Sequence, residues 1–90
     1  AARSLPLDRR ITLAALLVQT GQIDAGREQM QQVLPQVDAA HIRALPLSAR
    51  VRLLVLSNYY KLDFPDPELR RLTLSLLPPF LRAKIDPTGS

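Results

Sequence analysis

Two patterns of apolar residues meet at Thr20-Gly21-Gln22. Before that turn, Ile11, Leu13, Ala14, Ala15, Leu16, Leu17 and Val18 make residues 9–19 apolar almost all round when wound as a helix. Such a helix is expected to be covered on most sides. After the turn, Met30, Val33, Leu34 and Val37 recur at i, i+3, i+4 and i+7, while Arg27, Glu28, Gln29, Gln31 and Gln32 fill the other faces. That is a helix with one dry stripe and one wet side. Gly21 accepts the left-handed conformation that closes helices, so residues 6–37 are expected to form an antiparallel helical hairpin. Its first helix starts near Pro6, as proline is tolerated in a first helical turn, with Asp8 as a cap for a later start. Asp24 is expected to cap the second helix, and Pro35 to kink or end it.

Residues 38–43 read as a short connector holding His41. A third helix is expected over about 46–61, with Val51, Leu53, Leu54, Val55 and Leu56 crowded in its middle. Asp66-Pro67-Glu68 is a strong helix start: a capping carboxylate, proline at the first position, and a glutamate on the positive end of the dipole. Leu69, Leu72, Thr73, Leu76 and Phe80 continue a fourth helix at helical spacing. Pro78-Pro79 should stop or kink it, leaving one more turn over 80–84 and a frayed end over 85–90.

The two halves are related. Leu5-Pro6-Leu7 recurs forty residues on as Leu45-Pro46-Leu47, and in that register Arg10 meets Arg50, Ile11 meets Val51, Leu13 meets Leu53 and Leu16 meets Leu56. Past the turn, Phe64-Pro65-Asp66 lengthens the second loop and the offset becomes forty-three, pairing Arg27 with Arg70 and Leu34-Pro35 with Leu77-Pro78. The expected fold is all-α: two tandem antiparallel hairpins, about 6–37 and 46–84, giving four helices in one domain over 1–90. The same periodicity also fits a plain four-helix bundle. Leu13, Leu16, Leu17, Val33, Leu53, Leu56, Leu72 and Leu76 are the expected core.

Leu13, Ala14 and Leu17 on the first helix, Gly21 at the turn, and Gly26, Met30 and Val33 on the second follow a small-and-large pattern. On these residues the chain resembles the tetratricopeptide repeat family. Arg10 stands where tryptophan is common, Gly26 replaces the usual alanine, Leu69 occupies the small position of the second copy, and the period exceeds the family's ~34 residues. The resemblance implies a right-handed stack whose concave face, lined by the first helix of each hairpin, receives a peptide or another helix. The implied groove falls on Asp8, Thr12, Ala15 and Gln19 in the first copy, and on Ser48, Arg52, Val55, Asn58 and Tyr59 in the second.

Composition narrows the function. Ninety residues allow one domain, which buries only about 60–65% of its unfolded surface. The chain has no cysteine and a 47% hydrophobic content, so it can pack a core but holds no disulfide or thiolate site. No apolar run approaches the ~20 residues of a membrane span. Ten arginines against two lysines suggest a GC-rich, bacterial gene. The chain begins with alanine, and its ends AARS and PTGS read as loose flanks of a processed product or of a piece cut from a longer protein. Two hairpins are fewer than the ~3 repeats that bury a continuous core, so self-association through the stack ends, or continuation in a longer chain, is expected.

Catalytic chemistry finds no assembled motif. The only histidine, His41, has no carboxylate partner on a predictable face, and no nucleophile motif precedes a serine. Asp63 and Asp66 are too few oxygens for a metal, and three glycines form no phosphate loop. No cofactor is expected. The whole net charge of +4 lies in residues 43–90, which steers acidic partners to that half. A non-catalytic protein–protein interaction or scaffold domain is therefore expected, with a protein or peptide partner. The other reading is a basic domain binding nucleic acid through Arg43, Arg50, Arg52, Arg70, Arg71, Arg82 and Lys84. Only Arg70 and Arg71 are adjacent there, whereas phosphate contacts need clustered charge.

Overall fold

Pro6 and Pro46 start the two long helices in the same way. Each proline leaves the extended backbone, and its carbonyl accepts from the amides three and four residues on: Arg9 and Arg10 at 3.1 and 3.2 Å, Ala49 and Arg50 at 3.0 and 3.1 Å. In the computed structural model, which describes residues 6–85, these helices are α1 (Leu7–Gln19) and α4 (Leu47–Tyr60). Between and after them lie α2 (Ile23–Val33), a 3-10 turn (Leu34–Gln36), α3 (Ala39–Ala44), α5 (Pro67–Ser75) and α6 (Pro79–Ile85). Among the described residues all regular structure is helical. Among these residues the α-helices are six, not the expected four, so each half is a long, a medium and a short helix. The expected flanks and the frayed end beyond Ile85 lie outside the described residues.

The long helices also end alike. At the end of α1, Gly21 N–H donates to Val18 O at 3.1 Å and Gln22 N–H to Leu17 O at 2.8 Å; at the end of α4, Lys61 N–H donates to Asn58 O at 3.2 Å and Leu62 N–H to Ser57 O at 2.9 Å. Both are Schellman motifs, which turn the chain through a left-handed residue. Gly21 takes that conformation at φ 85, while Lys61 holds it at φ 56 with a full side chain. The left-handed region costs an L-residue about 1–2 kcal/mol. Lys61→Gly should therefore raise stability by about 1 kcal/mol, seen as a higher urea midpoint at unchanged slope. A lower midpoint would show that the lysine side chain stabilises the turn.

Two corrections concern helix starts. Asp24 does not cap α2: the helix begins at Ile23, Gln22 holds the cap position without a side-chain bond, and Asp24 lies in the first turn. There its charge still complements the helix dipole. The connector over 38–43 is instead α3. Asp38 caps it, its Oδ1 accepting the His41 N–H at 2.8 Å, and Ile42 anchors it with a fully buried side chain. Arg50 closes its other end, donating from Nε to Ile42 O at 3.0 Å and from Nη2 to Arg43 O at 2.9 Å. A cation on the last carbonyls of a helix satisfies groups that have no partner within it. The expected start at Asp66 holds, with its Oδ1 accepting Glu68 N–H at 3.0 Å.

α4 is the hub. It packs against α1, α2, α5 and α6, while α1 and α2 share the most extensive contact and α3 rests on α5. One cluster of buried side chains, among them Ile11, Met30, Val33, Ile42, Leu53, Leu54 and Leu77, forms the core, and half-buried Leu69, Leu72, Leu81 and Ile85 of α5 and α6 pack against it. Of the expected core, Val33, Leu53 and Leu56 are buried, and Leu17, Leu72 and Leu76 are half-buried. Leu13 and Leu16 are not core: they are 37% and 55% exposed. α1 buries Ile11 and Ala14 instead, flanked by half-buried Leu7 and Val18. These four recur at i, i+4, i+7 and i+11, a single stripe, so Leu13 and Leu16 face outward. The middle of the helix is apolar almost all round, yet only Ile11 and Ala14 of it are fully covered.

Gly26 lets three helices meet. A Cβ placed on it would lie 2.5 Å from Tyr60 Oη, 3.1 Å from Val18 Cγ2 and 3.3 Å from Ala14 O. Tyr60 reaches across from α4 and donates its hydroxyl to Ile23 O at 2.7 Å. Arg27 lies over the same ring, 5.4 Å from its centroid.

Candidate functional interface on α4

α4 has no acidic residue and almost no polar one in its middle, so only packing decides which side stays dry. Ala49, Leu53, Leu54, Leu56, Ser57 and Tyr60 are buried. Ser57 satisfies its hydroxyl within the helix, donating to Leu54 O at 2.9 Å. What remains outside is a stripe of Ser48, Arg52, Val55 and Tyr59, spaced at i, i+4, i+7 and i+11 and hence on one face. Val55 is 47% and Tyr59 54% exposed. The Tyr59 ring meets Tyr60 edge-on, with centroids 4.9 Å apart, so the exposed ring is braced from the core side.

Asn58 stands at the edge of this stripe and is already engaged. Its Oδ1 accepts from Arg70 Nη2 at 3.0 Å, and its Nδ2 donates to Ile85 O at 3.5 Å. It therefore ties α4 to α5 and to the end of α6. On α1, Thr12 and Gln19 are exposed, and Asp8 and Ala15 are half-buried. The Thr12 hydroxyl donates to Asp8 O at 2.9 Å. The structure thus brings the α4 residues onto one face and leaves the α1 residues on the helix packed beside it.

Sequence reasoning passed over several surface features. Leu13 and Leu16, expected inward, face out, and nothing in an all-round apolar segment marks that direction. Lys61 and Arg70 border a hollow of about 770 Å³ under the end of α4, with Asn58, Leu62, Asp63 and Phe64. The one signal in the sequence that finds Lys61 is the forty-residue offset, which places it where the first copy has Gly21.

His41 does have a carboxylate partner: Asp38 Oδ1 lies 2.7 Å from its Nδ1 as well as accepting its N–H. The carboxyl is held below its ordinary range, mainly by that backbone N–H and then by the imidazole. Both groups are more than half exposed, and the pair serves the start of α3. Several arginines have fixed partners. Arg50 holds α3, Arg71 pairs with Glu68 at 2.7 Å, Arg82 donates to Leu77 O at 3.3 Å and Arg70 to Asn58. Among the described residues no three of His, Cys, Asp and Glu come close enough to hold a metal, and no helix is long and apolar enough to cross a membrane.

No family model matches the chain, and no curated protein or solved structure matches it.

Proposed function

We propose that this chain is a non-catalytic protein–protein interaction domain of tetratricopeptide-like helical repeats, whose partner segment lies along the outer face of α4 beside α1. The observation that carries the reading is that the central helix leaves Val55 and Tyr59 about half exposed next to Arg52. Tyrosine and arginine are enriched among residues that dominate binding energy. An exposed apolar strip beside a cation fits a partner with apolar and acidic side chains. The polyanion reading has weaker support, because Arg50, Arg71 and Arg82 are fixed on different helices by partners within the chain.

Peptides selected from a displayed library against the parent protein test the proposal. Replacing Arg52 and Tyr59 together with alanine should weaken the selected ligands at least tenfold, about 1.4 kcal/mol. The melting temperature should hardly move, since exposed substitutions usually change stability by less than about 0.5 kcal/mol. Unchanged affinity would move the interface elsewhere, to the outward leucines of α1 or the ends of the stack, and would favour an assembly role.

A further inference from the structure

The two long helices occupy the same register forty residues apart but cover opposite sides. On α4, Ala49, Leu53, Leu56 and Tyr60 are buried, and their i, i+4, i+7, i+11 spacing makes them one stripe. Tyr60 of that stripe reaches Ile23 O on α2, so the stripe faces the first half. The matching stripe on α1 is Arg9, Leu13, Leu16 and Thr20, and all four are exposed. Leu13 and Leu16 are 37% and 55% exposed where Leu53 and Leu56 are 0% and 5%.

The other side shows the reverse. α1, packed on α2 and α4, covers Leu7, Ile11, Ala15 and Val18, with Ile11 fully buried and the rest half-buried. Their counterparts on α4, Leu47, Val51, Val55 and Asn58, are each more exposed. In the second register, buried Val37 has Phe80 as its counterpart, which is 64% exposed. Each half therefore leaves open the apolar side that the other half has covered.

We propose that a second copy of this chain covers the open side of α4, seating Leu13 and Leu16 of its α1 against Leu47, Val51 and Val55. The contact repeats between copies the one that α4 makes with the first half inside the chain. It rests on the interaction reading above, in which the outer side of α4 is the binding face, and it names the occupant. The two surfaces differ, so the contact is head-to-tail and association continues past the dimer. Arg9 and Thr20 replace Ala49 and Tyr60, and Gln29 and Gln31 of α2 replace Leu72 and Leu74 of α5. The contact between copies is thus more polar than the one within the chain, and reversible.

Sedimentation equilibrium over rising concentration tests the proposal, in high salt to screen the repulsion between copies of net charge +4. The mass should climb past twice 10.0 kDa without a plateau at the dimer. Leu16→Lys and Val55→Lys place charges at exposed positions, so each should weaken association at least tenfold at an unchanged melting temperature. Gln32→Lys, an equal charge on the exposed side of α2, should leave association within twofold. An equimolar mixture of the Leu16→Lys and Val55→Lys variants should form a one-to-one dimer and nothing larger, because it retains one intact pair of faces. A chain that stays monomeric at its highest soluble concentration overturns the proposal. So does a plateau at the dimer for the parent, or a mixture that behaves like its components. Monomers whose library ligands depend on Arg52 and Tyr59 would keep the α4 face and sink the second copy. Stacking that needs Leu16 and Val55, with library ligands indifferent to Arg52 and Tyr59, would keep the second copy and sink those two anchors.

Discussion

Leu53→Ala should lower stability by about 2–5 kcal/mol, the range for buried leucine truncations. Leu16→Ala should change it by less than about 0.5 kcal/mol. Both residues lie in the long apolar helices, α1 and α4, that begin the two halves. Leu53 is fully buried in the hub helix, whereas Leu16 is 55% exposed. Removing Leu53 leaves a cavity where α4 meets its neighbours, and its lining loses contact atoms on one side. Near the midpoint, 1 kcal/mol corresponds to about 4–8 °C in a domain of this size. The core variant should therefore melt at least about 8 °C lower by that conversion, a difference that thermal circular dichroism resolves. Equal melting of the two variants would mean that α1 is covered on the side described as open.

Gly26→Ala should destabilise the protein by about 1–3 kcal/mol through overpacking, even though alanine is the better helix former by about 1 kcal/mol. The new methyl would lie 2.5 Å from Tyr60 Oη, an atom held by its bond to Ile23 O. The clash and the propensity oppose each other, and the clash wins because the hydroxyl cannot yield without losing its acceptor. In a Tyr60→Phe background that atom is gone, and the remaining neighbours stand at 3.1 and 3.3 Å. The same substitution should then cost under about 1 kcal/mol, giving a double-mutant coupling of at least ~1 kcal/mol. Additive costs would show that α1, α2 and α4 do not meet at this point.

Tyr60 also gives the domain an alkaline limit. Burial raises its pKa above the ordinary value of 10.0, the neighbouring Tyr59 adds to the shift, and Arg27 opposes it. Above that ordinary value the unfolded chain gives up the proton while the folded chain keeps it, so stability falls as pH rises. Denaturant titrations across that range should show the fall in the parent and a smaller one in Tyr60→Phe. Equal falls would assign the limit to other groups.

The long helices were legible because proline, glycine and apolar runs mark both their ends and their substance. Pro6, Gly21, Pro46 and Asp66 lie where the structure uses them. α3 escaped because six residues with one buried anchor give no period to read, and Asp38 acts as a cap only once Ile42 is buried. Leu13 and Leu16 were misplaced for the opposite reason. Where every side of a helix is apolar, the sequence carries no direction, and the partners α2 and α4 decide it. α4 has the same ambiguity, and there the packing leaves Ser48, Arg52, Val55 and Tyr59 outside. Lys61 carries no residue-type signal, since glycine or asparagine marks a left-handed position, and only its offset of forty from Gly21 picks it out.

The central claim divides α4 into a half that folds the domain and a half that binds. A saturation scan of 47–60, sorted in parallel for protease resistance and for capture of a library-selected peptide, tests it most directly. Substitutions at Ala49, Leu53, Leu54, Leu56 and Tyr60 should lose both properties, while those at Ser48, Arg52, Val55 and Tyr59 should lose capture and keep resistance. Captured, protease-resistant variants spread evenly over the second set would contradict the claim.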